Sequence, residues 1–159
     1  MSVKQSTKDT FKSMIIIHLV ICLSVVVIMG ILYTLTVQSG KHLNPADEFK
    51  ILEIILPITG LGSFFGARFI INKRMKAIEK TANLNSKVEA YRSSMIVLWA
   101  VLEGTALFGA IGFFVSGRQN LFLYGLMAAV FIVFFRPLRS KIAQDLNLSA
   151  EEINQLNQK

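Results

Sequence analysis

A single cysteine, Cys22, lies inside an apolar run of this 159-residue chain. That excludes a disulfide framework and any thiolate cluster for zinc or iron–sulfur. Two histidines, His18 and His42, are too few for a His-rich metal site. Charge is scarce as well: 17% of the residues are charged, against about 25% in an ordinary soluble domain, while 53% are hydrophobic. No Gly/Ser linker or low-complexity tract divides the chain, so a single domain over residues 1–159 is expected. Also missing are a Ser/His/Asp set, a phosphate-binding loop, a zincin motif and a dinucleotide fingerprint, and neither a conventional enzyme nor a cofactor is expected.

What the chain does have is long apolar runs. The first, over 14–36, is interrupted only by His18, Ser24, Gly30 and Thr34, and a helix rising 1.5 Å per residue crosses a hydrocarbon core of about 30 Å with that length. It exceeds the 7–15 residues of a secretory h-region and no A-x-A-like site follows, so it is expected to stay in the protein. A second run, 51–71, follows Asn44-Pro45-Ala46-Asp47-Glu48, which reads as a cap, a proline at the first helical position and acids at the positive helix end. The third and fourth runs cover 95–115 and 121–135, the last ended or kinked by Arg136-Pro137. The expected fold is all-α, an integral membrane four-helix bundle. Residues 72–94 should extend spans two and three as a helical hairpin, with a capping box at Ser86 to Glu89. A second box, Ser149 to Glu152, should open a short surface helix over 149–158. A faint internal repeat pairs Phe11-Lys12-Ser13-Met14 with Tyr91-Arg92-Ser93-Ser94-Met95, each ahead of a two-span hairpin.

Lysine and arginine near span ends predict orientation. Thirteen lie in the two termini and the middle loop, against three in the remaining loops (Lys41, Lys50 and Arg118). Both termini and the middle loop are therefore expected on the cytoplasmic side, in a multi-pass protein of a bacterial inner membrane. The formal charge of +7 then reflects this asymmetry and contact with anionic lipid, not nucleic-acid binding. Lys73, Arg74, Lys76 and Lys80 form the candidate surface for lipid or a partner.

An ionisable residue inside a span is a functional-site candidate because its burial is costly. Glu103 lies nine residues beyond Ser94, about 13 Å into its span by helical rise, where so short a side chain cannot reach the headgroups. It either binds an ion or proton, or hydrogen-bonds a neighbouring helix. Arg68 and His18 each lie about one turn from the cytoplasmic end of a span and form a candidate relay or ion pair, with snorkelling and interfacial hydrogen bonding as the plainer roles. Glu53 reads as an interfacial carboxylate at a helix start. Gly60, Gly62 and Gly66 in span two, with Gly109 and Gly112 in span three, offer small-residue faces through which these two spans are expected to pack. That packing would leave Glu103 on the outer face of the pair.

The segment from Leu56 to Ala67, a polar turn, and then Leu102-Glu103-Gly104-Thr105-Ala106-Leu107-Phe108-Gly109 together resemble the hairpin of proteolipid subunits (c or K type) of rotary ATPases. The resemblance spans residues 50–116. It implies a glycine helix at Gly60, Gly62 and Gly66, an ion-binding carboxylate at Glu103 followed by the Leu-aromatic-Gly element Leu107-Phe108-Gly109, and assembly as a homo-oligomer or with other membrane subunits. Two functions are thus expected in competition. One is proton or cation handling at Glu103 within an assembly; the other is a scaffold or accessory protein that binds a partner or anionic lipid through its basic face.

Overall fold

The computed structural model describes residues 3–43, 47–77 and 83–157, and among these residues there are six α-helices and no strand. They are α1 (Val3–Gln38), α2 (Leu52–Ala77), α3 (Leu84–Ser116), α4 (Gln119–Phe134), α5 (Arg139–Asp145) and α6 (Ala150–Asn157). Three helices, α1, α2 and α3, are long and apolar enough to cross a membrane. Helix α4 qualifies only together with α5, and that pair bends by 87°. Pro137 causes the break, because it has no N–H to continue the ladder and its ring excludes helical geometry at the residue before it.

Helix α3 is the axis of the bundle. Helix α1 packs along it in parallel, α4 and α2 pack against it in antiparallel sense, and α1 and α2 do not run along each other. We refer to the end at which α1 begins as the lower end and to the opposite one as the upper end. Leu98, Trp99, Ala106 and Ala110 of α3 are fully buried. By contrast Ile16, Val26, Ile58, Phe69 and Phe134 point outward and are mostly exposed. So much exposed apolar surface would drive aggregation in water, whereas against lipid tails it is the compatible surface.

The closest helix contact joins α3 to α4. A Cβ on Gly109 would lie 2.6 Å from the Leu121 carbonyl oxygen and 2.7 Å from Gly125 Cα, and one on Gly125 would lie 2.6 Å from the Ala106 carbonyl oxygen. Gly112 faces the Leu121 side chain. The small face of α3 therefore serves α4, not α2 as expected, because Gly125 opposes Gly109 and permits backbone contact. On α2 only Gly60 meets α3, at Thr105; Gly62 and Gly66 have nothing within 4 Å of an added Cβ.

Helix ends also differ from the sequence expectation. Helix α3 starts at Leu84 and not at the Ser86 box: its N-cap is Asn83, whose side chain accepts a bond from the Ser86 N–H at 2.9 Å. Part of the expected start of α2, residues 44–46, lies outside the described residues, and a 3-10 turn at Asp47–Phe49 precedes the helix proper. Helix α3 ends at Gly117, with φ 75°, its N–H bonded to the Phe113 carbonyl at 2.7 Å. This conformation suits glycine, and the Lys41 carbonyl packs directly where a Cβ would be.

Helix α6 begins at a reciprocal capping box. The Ser149 N–H donates to Glu152 Oε2 at 2.8 Å, and the Glu152 N–H donates to Ser149 Oγ at 3.3 Å. Glu152 also pairs with Lys87 of α3, 2.7 Å away, and the Tyr91 hydroxyl donates to Asp145 at 3.1 Å. Ile142, Leu148 and Leu156 are buried beneath this polar layer, so α5 and α6 fold back onto the lower end. Burial pushes the Glu152 carboxyl up, but its bonds to Lys87 and Ser149 outweigh that and hold it below its ordinary value. A depressed carboxylate contributes stability above its unfolded value, about pH 4.3, and loses it as pH falls through the lower folded value. Limited proteolysis should therefore spare α6 at pH 7 and cleave it at strongly acidic pH, whereas the Lys87→Met variant should be cleaved at both.

Candidate functional site

Trp99 and Glu103 stand one turn apart on α3 and share a face. That face is covered by α1, so Glu103 does not lie on an outer surface of an α2–α3 pair. Ser24 Oγ lies 2.9 Å from Glu103 Oε1 and also 2.9 Å from the Ile21 carbonyl oxygen. A hydroxyl has one proton to donate and two lone pairs to accept with. Ser24 donates to Glu103 Oε1, and the Ile21 carbonyl, in the interior of α1, has its own helical N–H partner. No lysine or arginine lies within 4 Å of Glu103 among the described residues. Glu103 is half-buried, and its one side-chain partner is neutral.

Nearer the lower end, His18 Nε2 is 2.9 Å from the Ile132 carbonyl oxygen, with its ring edge-on to Trp99 at 4.9 Å. The indole N–H of Trp99 donates to the Phe135 carbonyl at 2.9 Å. The final carbonyls of a helix run short of partners within it; here the Trp99 ring of α3 supplies a donor to the Phe135 carbonyl, and the His18 ring of α1 adds a second contact at the Ile132 carbonyl, which also accepts from the Phe135 N–H at 3.1 Å. Because a carbonyl can only accept, His18 carries its proton on Nε2, and the Cys22 sulfur lies beside the ring, 3.8 Å from Nε2 and 3.9 Å from Nδ1. Arg68 reaches the same end of α4 differently, with its guanidinium 5.5 Å from the Phe135 ring centroid. His18 and Arg68 are thus both gathered at the end of α4, one at a carbonyl and one at a ring.

At the upper end Glu53 is bound by Arg118 at 3.1 Å, and Arg118 also holds Asp47 at 2.6 Å. Lys73, Arg74 and Lys76 are exposed at the lower end of α2, while Lys80 lies outside the described residues. Among the described residues no group of three or more His, Cys, Asp or Glu side chains could hold a metal ion. Ser24 and the N–H of Trp99 are the partners that sequence reasoning missed. For Trp99 a signal existed: Pro137 announces unpaired carbonyls just before it, and an indole within a span needs an acceptor. Compared with protein-family models, curated proteins and solved structures, the chain matches none of them.

Proposed function

We propose that the chain is a four-span membrane protein with both termini in the cytoplasm, and that it takes up and releases a proton at Glu103 as a subunit of a larger membrane assembly. The observation that carries this reading is the setting of Glu103, a half-buried carboxyl in the middle of α3 that meets the neutral Ser24 hydroxyl at 2.9 Å and has no lysine or arginine within 4 Å among the described residues. A carboxyl within an apolar span and without a cation beside it is a candidate place for a proton or cation to be taken up. The similarity of this segment to proteolipid hairpins points the same way. A second reading, a scaffold or accessory protein, is favoured by Lys73, Arg74 and Lys76, which are exposed and positioned to meet anionic lipid or an acidic partner.

Carbodiimide reacts with the protonated carboxyl, so purified protein treated across pH and mapped by peptide mass spectrometry tests the proton site. Glu103 should be labelled in the folded protein. Labelling should vanish in Glu103→Gln and persist in Ser24→Ala. A folded sample unlabelled at every pH would leave the scaffold reading.

A further inference from the structure

Between α2 and α4 runs an apolar cleft of about 300 Å³, with Leu61 and Phe64 on one wall, Met127 and Phe131 on the other, and Leu102 at its floor. Its lower end closes on aromatic rings: Phe64 lies 5.9 Å from Phe131 and 5.8 Å from Phe135, centroid to centroid. The Phe135 ring in turn carries two cations, Arg68 at 5.5 Å and Lys141 at 4.7 Å. Neither cation has a carboxylate within 4 Å among the described residues. The acid on the same side, Asp145, accepts from the Tyr91 hydroxyl. Two cations are thus drawn from different helices to one ring, just beyond the aromatic rings that end the cleft, and neither has a carboxylate within 4 Å among the described residues.

We propose that this cleft holds one anionic phospholipid from the leaflet at the lower end, its phosphate bridging Arg68 and Lys141 and one acyl chain lying between α2 and α4. Two like charges held near one ring repel each other, and a phosphate relieves that repulsion while adding charge-assisted hydrogen bonds. The cleft above explains why the phosphate belongs to a lipid, since a free anion makes no use of an apolar channel ending at its site. A second copy of the chain is the poorer occupant, because it would bring its own basic lower end against these cations. The inference does not depend on the proton reading at Glu103.

Native mass spectrometry of the detergent-purified chain, titrated with phosphatidylglycerol or with phosphatidylcholine of the same acyl chains, tests it. One phosphatidylglycerol should be retained per chain, about tenfold more tightly than phosphatidylcholine, and Arg68→Gln with Lys141→Gln should weaken it on the order of tenfold. Met127→Trp fills the cleft from an exposed position and leaves the fold intact, and it should weaken both lipids. Lys12→Gln with Lys50→Gln removes the same charge at exposed positions away from the cleft and should change retention less than about twofold. Equal retention of the two lipids would overturn the proposal. So would unchanged phosphatidylglycerol binding in a folded Arg68→Gln/Lys141→Gln variant, a dimer that excludes lipid, or inorganic phosphate bound at millimolar concentration with no preference between the lipids.

Discussion

Gly109→Val should separate α3 from α4 and cost at least about 3 kcal/mol, since the added atoms meet backbone that cannot give way. Even alanine at this position places its Cβ 2.6 Å from the Leu121 carbonyl oxygen. Gly112 provides the contrast. A Cβ there meets the end of the Leu121 side chain at 3.1 Å, and a leucine rotates aside, so Gly112→Ala should cost less than about 1 kcal/mol. Gly62→Ala, with nothing within 4 Å, should be neutral or slightly stabilising through helix propensity. The half-buried single thiol, Cys22, provides the readout. A thiol-reactive dye reports unfolding in detergent, and the midpoint should fall steeply for Gly109→Val, slightly for Gly112→Ala and not at all for Gly62→Ala.

Trp99→Ala should be comparably damaging, at about 3–5 kcal/mol, because the largest fully buried side chain leaves a void at the meeting of α1, α3 and α4. Trp99→Phe separates packing from hydrogen bonding. It retains an aromatic ring beside His18 but leaves the Phe135 carbonyl without its donor, which should cost about 1–2 kcal/mol. Hydrogen exchange should localise the difference. In Trp99→Phe the amides of the last turn of α4 and of α5 should exchange faster, while those in the upper half of α3 should keep their protection.

The apolar runs, the stop at Pro137 and the capping box at Ser149 were legible from the sequence because each is a local property: a length, a missing N–H, a three-residue spacing. Neighbour choice was not. The glycines of the second run pattern as a packing face, yet Gly62 and Gly66 face outward, while Gly125, alone in its run, makes the closest contact with α3. A small-residue pattern shows that a helix can be approached, and the partner is decided by which other helix presents an equally small residue at that level. The same limit applied at Glu103. Its depth could be read by counting, but the helix that would cover it could not, and α1 with Ser24 occupies the face expected to be open. His18 likewise could be placed near the end of its run, but its partner is a carbonyl 114 residues away.

Because α1 and α2 do not run along each other, each depends on α3 for its place in the bundle. The edge of α1 bearing His18 and Ser24 has no partner until α3 is synthesised, and the end of α4 is completed only when both earlier rings are in place. The bundle therefore closes only around α3, which supplies partners to the edge of α1 and to the end of α4.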